Sequence, residues 1–439
     1  MRKRTTILIS LAIVLCIAAL YHFDLKVFSL FELAPQQNAV TTVYFADHIS
    51  PGHLAVIERF NQKYKNKIEV VPVNLPFNKF STNERKELLA RSLRSKSDRL
   101  DVFSVDYIWT QRFAKWCEPL DAYFSDEVRN DILSPTLQSC LSDGKLVAMP
   151  LYIDVGMMYY RKDFLEKLPD RKIIEQKILS SISWSEMKQL RRRIGKPDAP
   201  FYLYQANDYE GLICNYFEMI ASFDKNFFKN NNIDLRKPAA KQALQMLVDL
   251  VHKEKMSSPD VTEFDENKSY SAMLERGAMF VRGWPNFLEN FQKEFPEDRR
   301  FQSIGRAPLP HFDGHEPTSV YGGWNLMVSK FSTKKNEAIE FVRFLQTEEA
   351  QKIMFDFGGY IPVNRKVYLD SAYIQKHEHL MFYRSLVDRG FHRPFLVDYT
   401  RISDIIAHFV HLAIKKEIGV DEALEQASTM ITKNQVLIK

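Results

Sequence analysis

Apolar and polar positions along this chain change rhythm from strand-like to helix-like and back. Val43 and Phe45 alternate with their neighbours and predict a strand, and Ser50 before Pro51 reads as a helix cap with a first-turn proline. Leu54, Ile57, Phe60 and Tyr64 then recur at helical spacing, after which Ile68, Val70, Val71 and Val73 return to a strand. Ser81 with Glu84 reads as a capping box for a helix carrying Leu88, Leu89 and Leu93, and Asp101 to Val105 reads as a third strand. Successive strand, helix, strand units need crossovers, which predicts an α/β fold with mainly parallel sheets. Further helix starts fall at Ser183 with Glu186, leading into Met187, Leu190 and Ile194, and at Pro238, leading into Ala240, Ala243, Leu244, Leu247 and Val251. Apolar faces follow at Ala338, Phe341, Val342 and Leu345, stopped by Gly358 and Gly359, and at Ile402, Ile405, Ile406, Phe409, Ala413 and Ile414. The second half is therefore expected to be mostly helical.

The first 23 residues follow neither rhythm. Arg2, Lys3 and Arg4 precede an apolar run from Ile7 to Leu20 broken only by Ser10 and Cys16. Such a run rises about 21 Å as a helix, short of a ~30 Å hydrocarbon core unless it extends through Phe23. It reads as a signal peptide or an uncleaved membrane anchor, with the anchor preferred, because small residues suited to cleavage are poorly placed around Ala18 and Leu15 precedes Cys16. The basic flank puts everything from about Asp24 onward outside the cytoplasm, with 24–40, containing Pro35, Gln36 and Gln37, as a spacer.

Composition narrows the function. The 439 residues suffice for two or three domains, and 45% hydrophobic with 26% charged residues describes a globular chain. The net charge of +5 is spread along the sequence, which argues against nucleic acid as the partner. No phosphate-binding glycine loop, nucleophile elbow or His-Glu-x-x-His is present, and nothing calls for a cofactor. His311, Asp313 and His315 form an incomplete ligand set in a Pro- and Gly-flanked loop, so no metal site is expected. Beyond Cys16, the body holds Cys117, Cys140 and Cys214; a bridge between the first two is conceivable in an oxidising compartment, and buried free thiols are the competing reading.

Aromatic residues beside carboxylates supply the candidate chemistry. Asp106, with Trp109 close behind, ends a strand, the place where open α/β sheets hold ligands. Tyr152 with Asp154, Tyr209 with Glu210, Trp284 in a Gly-Trp-Pro turn, and Trp324 after Gly322 and Gly323 repeat the theme. A sugar offers C–H faces to a ring and paired hydroxyls to a carboxylate or guanidinium. Each tryptophan taken singly is equally well read as a core aromatic.

Six blocks carry a resemblance: Asp101–Tyr123, Gly144–Lys167, Tyr209–Glu218, Arg282–Pro285, Ala307–Lys330 and Arg393–Tyr399. From about Val40 to the C-terminus the chain resembles the family 1 extracellular solute-binding proteins of ABC importers, and within them the trehalose/maltose-binding proteins. The resemblance implies a two-lobed, type II periplasmic-binding-protein fold. Its first lobe would be 41–149 plus 306–365 and its second 150–305 plus 366–439, with the ligand cleft between them. It also implies sugar contacts from Asp106, Tyr152, Asp154, Trp284, Gly323, Trp324 and Arg393. The turn before the first helix departs from the family's usual acidic residue, leaving Asp47 as a possible substitute, and Phe201–Gln205 lacks a usual tryptophan. The expected function is a monomeric, non-enzymatic receptor that delivers a disaccharide-like sugar to the transmembrane subunits of an ABC permease. Two alternatives stand beside it: an extracytoplasmic glycoside hydrolase using Asp106 and Asp154, and a sugar sensor.

Overall fold

The computed structural model describes residues 39–437 except 77, 78, 80, 81 and 195–198. The N-terminal segment, and Ser81 with its expected capping box, lie outside the described residues. Among those described, no helix is long and apolar enough to cross a membrane.

The opening follows the hydrophobic pattern. β1 (Thr41–Asp47) leads into α1 (Pro51–Lys63), β2 (Ile68–Asn74), α2 (Thr82–Arg94) and β3 (Val102–Asp106). β1 lies between β2 and β3 and is parallel to both, so Val43, Phe45, Val70 and Val102 all point into a dry core. Ser50 caps α1, accepting from the His53 backbone, while the His53 ring returns a bond to the Ser50 backbone.

Three later strands complete this large sheet. β6 (Met149–Val155) and β11 (Ser319–Val328) pair antiparallel, β11 also runs antiparallel to β3, and the first residues of β11 meet β12 (Gly390–Phe391) in parallel. A second sheet runs β10 (Ile304–Ala307), β7 (Met157–Arg161), β9 (Phe280–Gly283), β8 (Tyr202–Leu203). Its β8–β9 pairing is parallel, whereas β7 is antiparallel to both β9 and β10, so the sheets are mixed around a parallel opening. Only Gly156 separates β6 in one sheet from β7 in the other. A short hairpin, β4 (Leu141–Ser142) with β5 (Lys145–Leu146), precedes β6.

The helices around the second sheet include α3 (Trp184–Ile194), α4 (Glu210–Phe223), α5 (Pro238–His252) and α6 (Glu266–Arg276). Ser183 and Glu186 make the expected reciprocal cap of α3, each side chain accepting from the other residue's backbone. The apolar stripe after Ala338 is divided where one continuous helix was expected: α7 (Lys335–Leu345) ends and α8 (Glu348–Gly358) begins at Thr347, whose hydroxyl accepts from Ala350 N. An N-cap sets Thr347 in extended geometry, which breaks the ladder, and Gly359 then ends α8. α9 (Tyr399–Ile414) and α10 (Val420–Thr432) close the chain.

Candidate functional site

β11 gathers the site. Its register sets Trp324 opposite Asp106 on β3 and, along its other edge, Trp324 opposite Tyr152 and Gly322 opposite Asp154 on β6. Four candidate residues scattered over 218 positions of sequence thus meet on neighbouring rungs. Gly323 has φ +126°, and a Cβ there would lie 2.5 Å from the Tyr152 carbonyl oxygen and 2.8 Å from the Tyr107 ring. Glycine alone suits that backbone and that approach. At Gly322 an added Cβ would be 3.1 Å from the Trp284 ring, so this indole, arriving from the end of β9, lies on the β11 backbone beside Asp154.

Charged groups cross this platform. Arg393, beyond β12, donates from Nη1 to Glu210 Oε1 at 2.7 Å and from Nη2 to Asp106 Oδ1 at 3.1 Å. Tyr399 Oη also donates to Glu210 Oε1, at 2.7 Å, and Arg393 Nε is buried without a partner. Burial lifts the Glu210 carboxyl above its ordinary value, with Arg393 and Tyr399 pulling the other way. Asp154 makes no such bond, and the Arg282 charge offsets only part of its burial. Burial, and then the Asp106 charge, push its carboxyl up to about 7, and its Oδ1 is buried with no hydrogen-bond partner.

Trp284 is held from two sides. The Arg282 guanidinium sits 4.0 Å from its ring centroid and is itself fixed by Glu218 through two bonds of 2.8 and 3.1 Å. Indole Nε1 donates to Glu266 Oε1 at 3.2 Å, and Tyr209 Oη donates to Glu266 Oε2 at 2.7 Å. Glu266 therefore orients two candidate aromatics together. Trp324 is 7% exposed, with Arg85 4.2 Å from its ring centroid and Trp109 edge-on at 6.2 Å. Trp109 thus stands behind Trp324. Tyr152 packs at 4.3 Å on Tyr360.

Asp47 is engaged elsewhere: Arg85 Nη2 lies 2.8 Å from one of its oxygens and His53 Nε2 3.1 Å from the other. Burial raises its carboxyl, but the His53 hydrogen bond and the His53 and Arg85 charges outweigh that and hold it near 2. Arg85, Arg282, Glu266, Tyr360 and Tyr399 were not singled out from sequence. Arg282 and Tyr399 stood inside the Arg282–Pro285 and Arg393–Tyr399 blocks, while Arg85, Glu266 and Tyr360 carried no local signal.

His311, Asp313 and His315 go to separate partners: the His311 ring to Ser181 Oγ, Asp313 to Ser185 Oγ, and His315 edge-on to Phe223. Among the described residues no group of three potential ligands is placed to hold a metal. Cys117, Cys140 and Cys214 are buried free thiols, Cys117 lying against Phe113 O and Met327 Sδ and Cys140 against Thr136 O and Asn325 Oδ1.

Two mixed sheets joined through β6 and β7, with polar and aromatic side chains converging where they meet, define a type II periplasmic-binding-protein fold. Residues 50–352 match the bacterial extracellular solute-binding proteins, and the chain belongs to that family. A probable ABC transporter-binding protein of Deinococcus radiodurans is 26% identical over 412 residues, covering 90% of this chain and 94% of the relative. Among solved structures, maltose-bound MalE3 of T. maritima superposes with a TM-score of 0.78 at 26% identity, over 90% of this chain and 100% of that one. The GacH receptor of Streptomyces glaucescens, solved unliganded and with acarbose, gives 0.75 at 22% identity, over 90% of this chain and 98% of that one.

Proposed function

We propose that this protein is an extracytoplasmic receptor that captures a disaccharide-like sugar by closing two lobes on it and presents it to an ABC permease. One observation carries the reading. Arg393 spans from Asp106, at the end of a large-sheet strand, to Glu210, at the start of α4, so the two sides of the cleft are tied by groups that also suit sugar hydroxyls. The lobes are about 41–149 with 306–365 and 150–305 with 366–439, except that β6 keeps residues 150–155 with the large sheet, so that the first passage falls at Gly156. Asp106, Tyr152, Asp154, Trp284, Gly323, Trp324 and Arg393 contact the sugar, with Tyr209 and Glu210 beside them. Asp47 and Trp109 support that surface from behind. Closure follows from the ligand touching both lobes only when they are together. The relatives named for maltose and acarbose support a sugar as the ligand. The N-terminal segment tethers the receptor to the membrane, and intact-mass measurement of the native protein tests that.

Titration calorimetry with maltose and trehalose tests the function, together with small-angle scattering for compaction on binding. Heat with neither sugar, and no compaction, overturns it. A glycoside hydrolase has one observation in its favour, the raised Asp154 carboxyl near Asp106. Release of nitrophenol from an aryl maltoside, lost in Asp154→Asn, would establish that activity, and family membership speaks against it.

A further inference from the structure

A groove of about 800 Å³ opens beside the cleft, between residues 111–119 with the β4–β5 hairpin on one side and residues 397–401 on the other. Arg94, Arg112, Lys115, Lys145 and Arg401 line it, against the carboxylates of Asp143 and Asp398, and Trp116 adds an aromatic face. Arg94 and Arg112 share Glu87 at 3.6 and 3.1 Å, and Arg401 meets Asp398 at 2.7 Å. The Lys115 and Lys145 side chains are exposed, the Lys115 ammonium lying 4.5 Å from the Trp116 ring centroid.

Both walls lie next in the chain to residues that back the site. Gln111 and Arg112 follow Trp109, which meets Trp324 edge-on, and Thr400 and Arg401 follow Tyr399, whose hydroxyl donates to Glu210. A neutral sugar in the cleft is served by rings, carboxylates and Arg393, and has no use for this many cations. The volume lies within the ~300–1,000 Å³ typical of ligand pockets.

We propose that this groove is a second subsite, receiving an anionic substituent, carboxylate or phosphate, carried by the sugar held in the cleft. The inference rests on the receptor reading above. Guanidinium forks match either anion in two-point geometry, and ammonium groups add point charge without a fixed direction. Because the cations are largely exposed, the attraction is screened by salt.

Calorimetry with two matched pairs tests it: maltose against maltobionate for the carboxylate, and trehalose against trehalose 6-phosphate for the phosphate. At low salt at least one anionic member should bind about tenfold more tightly than its neutral partner, an advantage that shrinks as salt is added. Lys115→Glu with Lys145→Glu should abolish the advantage while leaving the affinity for the neutral sugar and the melting temperature unchanged; Lys115→Gln with Lys145→Gln should reduce it. Neutral sugars that bind with no gain from either anion overturn the subsite alone, as does a gain that survives charge reversal. Silence with all four sugars overturns the receptor reading and the subsite with it.

Discussion

Arg393 and Asp106 are 287 positions apart in sequence, yet guanidinium and carboxylate meet at 3.1 Å. The same guanidinium reaches Glu210 at 2.7 Å while being 3% exposed, so its charge is shared between two carboxylates away from water.

Replacing Arg393 by lysine should therefore do more than shorten a reach. One ammonium cannot serve Asp106 and Glu210 in the planar fork they now share, and a buried carboxylate left without its donor is costly. Arg393→Lys should weaken sugar binding by about 2 kcal/mol and lower the melting temperature, as read by calorimetry and thermal denaturation. Unchanged values for both would remove Arg393 from the site.

The two platform tryptophans should respond differently to truncation. Trp284 keeps part of its surface open above Arg282, so Trp284→Ala should cost about 1–3 kcal/mol of binding with a small change in stability. Trp324 is packed in β11 between Arg85 and Trp109, so Trp324→Ala should also destabilise the fold by about 3–5 kcal/mol. Urea titrations beside calorimetry separate the two; equal stability losses would place both indoles in the core.

Asp154 gives the protein a pH signature. Its folded carboxyl, near 7, stands above the ordinary 3.8, so its contribution to stability is fully present below about pH 4 and is lost as pH rises through about 7. Asp154→Asn has no proton to lose there. The variant should gain on the wild type across that window by about 4 kcal/mol and run parallel above it. Melting curves that stay parallel from pH 4 to 8 would show that the carboxyl is not raised.

Gly323→Ala tests the bend in β11. With φ at +126° and a Cβ directed at the Tyr152 carbonyl, alanine must move either its own strand or β6. A loss of about 2–4 kcal/mol is expected, with impaired sugar binding because Tyr152 and Trp324 sit on those rungs. A stability within error of wild type would show that the strand relaxes freely.

How much of this was legible in the sequence depends on how local each signal was. The start of α1 is written in Ser50 and Pro51, and the βαβ opening in the spacing of valines and isoleucines. The division between α7 and α8 was not, because the apolar stripe continues across it while one cap residue, Thr347, interrupts the backbone. Asp106, Tyr152, Asp154 and Trp324 could be suspected singly from an aromatic ring beside a carboxylate. That they stand on neighbouring rungs is a property of the β11 register, which no short window contains. Arg85 and Glu266 look like ordinary charges on helix faces until the tertiary fold lays one on Trp324 and sets the other at the edge of Trp284.

The passage from β6 to β7 has one more consequence. At Gly156, an added Cβ would overlap the Glu218 carboxylate, 1.7 Å away, with Arg282 Nη2 at 2.9 Å. The bare backbone of the residue joining the two sheets thus leaves room for the ion pair on which the Trp284 ring rests. A side chain at Gly156 would displace the Glu218 carboxylate and, through Arg282, unseat the indole, so the passage between the sheets and the support of Trp284 draw on the same space.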